Sequence, residues 1–448
     1  MRTAIIGGGI SGLATAFLLR QKQPDWTVHV YEREAQPGGT MRSVHQDGFI
    51  FERGSNGYLD NKPATGELVR AAGAEHLLLR SNDAARIRYV YTDAIHRLPD
   101  GPGAFLKTKL LTLGGKLRVA REFWIKPRQS DEEETLKSFG DRRLGPQFTD
   151  VFLNAMSAGI FGSTPEQLSV NAAFPLVVKL EREHGGLFRG MLAKRKKEAG
   201  PGGVLMSFVG GVSSFVDHLA GLMGDDLRLS ASVTALDLAD GRWRLQGISD
   251  EAPYDNVVLA TPAYVSADLL RSVDAGLAGQ LEHINYSPIS VVGFGYHKLT
   301  HPLNGFGLLT TASAGLDILG VLWDSAIFGD RAPEGSKSVR VMIGGQRNPE
   351  LALKEPDELV EIARRGVQQT MGITETPDTT FVQPWPRGIP NYRVGHLALV
   401  ENLFQSADQL PGLFLNCNAY RGIGVNDCVE QSGKCVDRML ERAGAEVS

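Results

Sequence analysis

Cysteine is scarce in this chain of 448 residues: there are three, Cys417, Cys428 and Cys435, all near the C-terminus. They lack the paired spacing of a zinc site and are too few for a disulfide framework, so no metal centre is expected. Cys428 and Cys435 fall on one face of a helix, which predicts packed thiols, and an intracellular, reducing location fits this usage. Long apolar runs are missing too. No stretch approaches the roughly 18 residues that a spanning helix requires, and no signal peptide is expected before the strand that opens at Arg2. Net charge is only -4 with a pI of 6.2, and with no recognised binding motif this argues against nucleic acid. Neither an internal repeat nor a low-complexity tail is present. A hydrophobic content of 42% suits an ordinary globular chain of two or three domains.

The charge is small in sum but uneven in place. Residues 105–202 hold 17 Lys and Arg against 11 Asp and Glu. Within Phe105–Arg128 alone there are seven basic residues and one acid, Glu122, interleaved with Leu106, Leu110, Leu111, Leu113, Leu117, Val119, Phe123, Trp124 and Ile125. A basic amphipathic stretch with Trp and Phe reads as an interfacial membrane helix. It reads equally as a surface helix with solvated lysines.

The first residues carry the strongest signal. Arg2-Thr3-Ala4-Ile5-Ile6 reads as a buried strand, Gly7-x-Gly9-x-x-Gly12 follows at once, and Leu13 begins a helical run. Glu32 ends a second strand, Thr27–Tyr31. This is a dinucleotide fingerprint: the glycines allow a tight turn, close approach to a pyrophosphate and close helix–strand packing, while the acid accepts from a ribose. The helix N-terminus faces the phosphates. A second glycine pair, Gly38-Gly39, and the run Gly54-Ser55-Asn56 follow the acid. Flavoproteins use such a pair beside the FAD pyrophosphate, and a nicotinamide dehydrogenase does not need it, so FAD is the expected cofactor.

Further along, a helix is expected near Pro63–Ala72, mostly helix over 105–202, and a linker at Gly200 to Gly203. A helix at Ser213–Leu222 and strands at Leu227–Val233, Trp243–Gln246 and Asn256–Ala260 come next. Then come strands at Ser290–Tyr296, Leu316–Trp323 and Ser338–Ile343, a helix at Pro356–Thr370, a strand at Leu413–Asn416, and a last helix from Asn426 to Ala443. Asn426 or Asp427 reads as the N-cap of that helix, whose dipole would face the flavin. The fold class is therefore α/β, a two-dinucleotide-fold FAD domain (1–85, 203–263 and 405–448). It is interrupted by a helical membrane-associated domain (105–202) and an α+β substrate domain (86–104 and 264–404).

These residues resemble one family, the oxygen-dependent protoporphyrinogen oxidases of haem synthesis, with their coproporphyrinogen-oxidising bacterial relatives. The resemblance runs nearly end to end. It is carried by Gly7 to Leu13, Gly38-Gly39, Arg88-Tyr89-Val90-Tyr91, Ala158-Gly159-Ile160-Phe161-Gly162, Gln167-Leu168-Ser169, Phe174-Pro175, Glu181-x-Glu183-His184, Gly305-Phe306-Gly307, Ile389-Pro390-Asn391-Tyr392-x-x-Gly395-His396 and Gly424 to Cys428. It implies FAD contacts at Gly7, Gly8, Gly9, Ile10, Ser11, Gly12, Glu32, Gly39, Thr40, Gly54, Ser55, Asn56, Gly57, Val233, Trp385, Ile423, Gly424 and Val425. It also implies that Arg88 pairs with a substrate propionate, that Leu309, Leu322 and Met342 hold the pyrrole rings, and that the Gly159 backbone faces the pyrrole N–H groups. No protein side chain is singled out as the base.

The reaction implied is the six-electron oxidation of protoporphyrinogen IX by O2 in three steps, giving H2O2; coproporphyrinogen III is the alternative substrate, with Arg97, Arg347 and Arg387 as added positive charge. A non-catalytic tetrapyrrole- or flavin-binding protein is the more distant alternative. The implied partners are the tetrapyrrole, O2, a ferrochelatase and a second copy of the chain. The implied location is cytoplasmic, peripheral on the inner face of the membrane. Two departures stand out: Ser55 replaces a proline common in relatives, and Cys417 replaces a glycine, where a side chain would crowd the flavin or its pyrophosphate.

Overall fold

The computed structural model describes residues 1–130, 132–197, 203–249 and 252–447. Apart from Gly203, the expected Gly200 to Gly203 linker lies outside them.

Alternation along the first strand sets the architecture. In Arg2–Ile6, Ile5 points into one apolar cluster and Ala4 and Ile6 into another. A strand buried on both faces belongs in the middle of a parallel sheet covered by helices. The sheet has five strands, ordered Leu227–Arg228, Thr27–Tyr31, Arg2–Ile6, Asn256–Leu259 and Leu413–Leu415. Helices Ile10–Lys22, Ser213–Met223 and Val425–Val447 cover the Ile5 side. Helices Ala263–Leu270, Ala275–Glu282 and His396–Asp408 cover the other.

The strand expected at Leu227–Val233 stops at Arg228. There the Glu32 amide donates to the Arg228 carbonyl, and the chain turns to run past Glu32 and Glu34. The strand expected at Trp243–Gln246 forms as Arg242–Gln246, in a hairpin with Ala235–Ala239, a strand not expected from the sequence.

The second sheet has seven strands, ordered Thr379–Pro390, Tyr286–Tyr296, Lys337–Gly344, Ile318–Leu322, Gly307–Thr310, Arg88–Tyr91 and Ile95–Arg97. Its register gives two faces. Val292, Val341, Val321 and Leu308 lie in one row. Against that face packs the helix Pro356–Met371 through Leu359, Ile362, Ala363 and Val367, each larger side chain stabilising by about 1.5–3 kcal/mol. The opposite face carries Val291, Met342, Gly320, Leu309 and Val90 in one row. The next row holds Gly293, Arg340, Leu322, Gly307 and Arg88.

The described residues of 102–197 form mainly short helices, and Phe105–Arg128, read as either an interfacial or a surface helix, does not form one continuous helix. Helix Pro102–Lys107 ends, and Thr112 starts a new one, Leu113–Ala120, by accepting the Gly115 amide on its hydroxyl at 3.1 Å. A 3-10 turn, Arg121–Trp124, closes the stretch. Leu110, Leu111 and Val119 turn inward, while Leu106, Leu113, Leu117 and Trp124 are 64–76% exposed. Inside this region Arg143 is fully buried and ion-paired with Glu122, and Arg142 binds Glu181 and Glu134 at 2.6 Å each. Among the described residues no helix is long and apolar enough to cross a membrane.

Candidate active site: a glycine-lined groove and an apolar sheet face

The loops that follow the parallel strands gather at their carboxyl ends, where ligands of open α/β sheets bind. The turn Gly7 to Gly12 joins the first strand to Ile10–Lys22. A Cβ on Gly12 would stand 1.9 Å from the Gly7 carbonyl oxygen, so only glycine fits there. The Gly8 amide donates to Glu32 Oε2 at 2.8 Å and the Glu34 amide to Oε1 at 2.9 Å. Each carboxylate oxygen keeps a lone pair for a ribose hydroxyl. Gly38 donates to the Gly8 carbonyl at 2.8 Å, which brings Gly39 and Thr40 beside Gly9, Ile10 and Ser11. Gly54 packs on Thr40, since a Cβ on it would lie 2.8 Å from the Thr40 carbonyl oxygen.

Ser55, Asn56 and Gly57 continue from there to the strand Tyr58–Leu59. Both polar atoms of the Asn56 amide are buried without a partner, and such a group calls for a polar ligand. Ala231 donates to the Glu32 carbonyl at 2.9 Å, which carries Val233 past the acid. Trp385 Nε1 donates to the Arg53 carbonyl at 2.8 Å, next to Gly54. Asn426 Nδ2 donates to the Leu59 carbonyl at 2.7 Å, and this places Ile423, Gly424 and Val425 beside the same loop.

One sequence expectation about this end needs correcting. The last helix begins at Val425, so neither Asn426 nor Asp427 is its N-cap. Asp427 acts from inside the first turn: its carboxylate accepts the Gly424 amide at 3.2 Å and Lys62 Nζ at 2.5 Å. An acid at this position suits the positive end of the helix. Cys417 packs among Leu415, Ala419 and Tyr420, and burial pushes its thiol up to about 12. Burial likewise raises Cys428 to about 11 and Cys435 to about 12. All three stay neutral thiols near neutral pH.

The residues expected at the substrate converge on one face of the seven-stranded sheet. Leu309 and Met342 both oppose Gly320, and Leu322 and Arg88 both oppose Gly307. Gly159, on the helix Asn154–Phe161, meets this face: a Cβ there would lie 2.6 Å from Leu309 Cδ2. Met342, Trp385 and Ile389 pack around Ala158 and Ile289, so the apolar face runs into the groove at Trp385. At the other end Arg88 is exposed, with its guanidinium 5.1 Å from the centre of the Phe306 ring and no carboxylate at ion-pair distance among the described residues.

The three other arginines raised by the sequence separate here. Arg97 is held by Asp100 at 2.6 Å, and Arg387 lies 4.7 Å over the Tyr264 ring. Arg347 binds Thr310 and Asn154 with no acid partner among the described residues, and burial lowers it to about 10. Sequence reasoning missed Phe306 beneath Arg88, and Arg53 with Gln383 beside Trp385. Arg53 could have been found from its place directly before Gly54.

The motif from Ile389 to His396 ties the parts together. Tyr392 donates to the Asn418 carbonyl at 2.6 Å and stacks on His396 with ring centres 4.1 Å apart. His396 Nε2 meets the Tyr420 carbonyl at 3.0 Å, and Asn391 accepts from Ser163 at 2.8 Å. The helix bearing Gly159 is thereby fixed to the loop that precedes Val425.

The chain matches the model of the flavin containing amine oxidoreductases over residues 10–440. It is 30% identical to human protoporphyrinogen oxidase, over 97% of this chain and 98% of that one. It is 26% identical to the coproporphyrinogen III oxidase of Bacillus subtilis strain 168, over 97% of each. A crystal structure from Exiguobacterium sp. 255-15, assigned as a protoporphyrinogen oxidase, superposes with a TM-score of 0.87 at 25% identity, covering 98% of this chain and 99% of that one. A redesigned putrescine oxidase shares the fold, with a TM-score of 0.74 at 15% identity over 98% of this chain and 99% of that one. The glycine cradle, the ribose acid and the unpartnered Asn56 amide fit a flavin dinucleotide. The protein is an FAD-dependent oxidoreductase, and it belongs to the protoporphyrinogen oxidase family of the flavin-containing amine oxidoreductases.

Proposed function

We propose that the chain oxidises protoporphyrinogen IX to protoporphyrin IX, removing six electrons in three steps with O2 as acceptor and H2O2 as co-product. The observation that carries this reading is the apolar face of Leu309, Leu322 and Met342, which opens onto the FAD groove at Trp385 and ends in the unpaired Arg88. When bound, FAD would supply the redox chemistry of each step, accepting one hydride, which carries both electrons, and passing those two electrons to O2 to give H2O2.

The chain's own residues bind and orient. Arg88 offers a planar fork of donors to a propionate. Leu309, Leu322 and Met342 hold the ring faces, and the close approach of Gly159 to Leu309 leaves backbone free to meet pyrrole N–H groups. The helix Asn154–Phe161 lies over the sheet face and keeps water from it. None of the three clamps or Gly159 can take a proton, so this face does not supply a base.

Coproporphyrinogen III is the second reading. Arg347 favours it, as a partly buried cation hydrogen-bonded to Thr310, the strand neighbour of Leu309, with no acid partner among the described residues. Aerobic turnover of both porphyrinogens, followed by porphyrin fluorescence, decides between them. A higher kcat/KM for protoporphyrinogen supports the first reading, and the reverse reassigns the substrate. Turnover of neither by flavin-loaded protein overturns both.

The same reading divides the chain into the FAD, substrate and helical domains given above and sets the helical one against a membrane. What supports this is the run of exposed Leu106, Leu113, Leu117 and Trp124 among basic side chains. Replacing Leu117 and Trp124 by serine should weaken binding to anionic vesicles without changing turnover of dispersed substrate. Homodimer formation and direct hand-over of product to a ferrochelatase complete the proposal. Light scattering tests the first, and channelling kinetics with a ferrochelatase test the second.

A further inference from the structure

Two arginines face one another where the hairpin Ser43–Gln46 and Phe49–Glu52 opens into the cofactor loops. Ser43 is paired with Glu52, and the Arg53 amide donates to the Arg42 carbonyl at 2.8 Å, so the ladder continues by one further pair, Arg42 and Arg53. Opposed residues of an antiparallel pair share a face, and like charges there repel. Arg42 leads back to Gly38-Gly39-Thr40, and Arg53 leads on to Gly54, so the two cations stand between both flavin loops.

Neither cation is neutralised. Among the described residues no carboxylate comes within ion-pair distance of either one. Arg42 donates through Nη1 to the Pro37 carbonyl at 3.2 Å, and its Nε is buried without a partner. Arg53 donates through Nε to Gln383 Oε1 at 2.5 Å and lies 5.3 Å over the Trp385 ring. Asp217 feels the charge of Arg42, and Arg53 feels that of Glu34, but both carboxylates stay beyond contact. Burial and the neighbouring Arg42 together pull Arg53 below its ordinary value, as expected of a cation crowded by another.

We infer that Arg42 and Arg53 form an anion seat for the diphosphate of FAD, with Arg53 oriented by Gln383 and Trp385. A diphosphate matches two guanidinium forks in charge and in donor geometry, and it would relieve the repulsion that the hairpin end carries without it. The alternative anion, a propionate of the substrate, would make Arg53 a second partner to Arg88. The position of the pair between the two glycine-bearing loops favours the cofactor. This inference rests on FAD as the cofactor and not on the substrate, so a protein that binds FAD but oxidises no porphyrinogen would overturn the proposed function and leave the seat intact.

The test uses full-length protein stripped of flavin and titrated with FAD and, separately, with riboflavin, which has no phosphate. Arg53→Gln should weaken FAD by roughly ten- to hundredfold, the range for hydrogen bonds to charged groups, and leave riboflavin within about twofold. Arg53→Lys should recover part of the loss. In the flavin-free state Arg53→Gln should melt no lower than the parent, because a repulsion has been removed. If Arg53→Gln does not yield folded protein, Arg42→Gln carries the same titration. Unchanged FAD affinity with a raised KM for porphyrinogen would assign the pair to the substrate and overturn the inference. Equal losses for FAD and riboflavin would reduce Arg53 to a support for Trp385 and overturn it as well.

Discussion

The cofactor groove and the substrate face meet at Trp385, yet they are made of different material. Backbone makes the groove: glycines at the ends of parallel strands, amides on Glu32, and the start of a helix at Val425. Side chains make the face: Leu309, Leu322 and Met342 from three strands, closed by Gly159 from a helix. A surface of backbone binds what all dinucleotides share. A surface of side chains is set by size and charge, so under the proposed function the choice between two tetrapyrroles would fall to it and to Arg88 and Arg347 at its edges. The groove should therefore fail abruptly when a glycine changes, and the face should respond in proportion to the atoms moved.

The largest effect is expected in the groove. Gly12→Ala has no room for its methyl against the Gly7 carbonyl, and the flavin-to-protein absorbance ratio should drop about tenfold or more. Retained flavin would break the contrast. On the face, Arg88→Ala should raise KM roughly ten- to hundredfold, as loss of a hydrogen-bonded charge does, with flavin content unchanged. Equal kinetics would remove Arg88 from the site.

Gly159→Ala should act more mildly, because its methyl meets the movable tip of Leu309. A fall in kcat/KM of about tenfold, largely restored by adding Leu309→Ala, would show the coupling expected of touching residues. Simple additivity would deny that the two residues share one wall.

The smallest effect lies outside both surfaces. Burial would raise the Glu181 carboxyl, but the hydrogen bonds of Arg142 outweigh it and hold the group below the usual range. A carboxyl depressed in the folded state adds stability above its unfolded value, and that stability is lost as pH falls through the folded value. Melting of the parent should thus decline more below about pH 4.5 than melting of Glu181→Gln, as read from thermal scans between pH 3 and 7. Parallel curves would count against it.

The difference between the surfaces also decided what could be read from the chain. Gly7 to Gly12, Glu32 and the strands beside them were legible because a turn, a helix start and a strand end are local events. The face was not, since Leu309, Leu322 and Met342 become neighbours only through the register of a sheet, and alone they read as ordinary core. Only the family resemblance singled them out.

The strand that brings Trp385 to the site, Thr379–Pro390, was missed because Pro384, Pro386 and Pro390 argue against a strand. It lies at the edge of its sheet, where a missing N–H is tolerated. The hairpin Ala235–Gln246 carried a signal that went unused. Asp240 and Gly241 both take positive φ, 54° and 73°, and an Asp-Gly pair between short alternating runs marks such a turn.

The pairings of Arg2–Ile6 bear on how the protein is made. That strand has Thr27–Tyr31 beside it at once, but its other neighbour is Asn256–Leu259. The main-chain oxygen of Ser11, inside the fingerprint, takes a hydrogen bond from Ser432 near the far end of the chain. At roughly 5–20 residues per second of synthesis, the fingerprint would leave the ribosome some 20 s or more before Ser432 exists. During that interval the apolar strand has no complete sheet to join. The five-stranded sheet, and the cofactor cradle built on its strand ends, can therefore close only when translation has nearly finished.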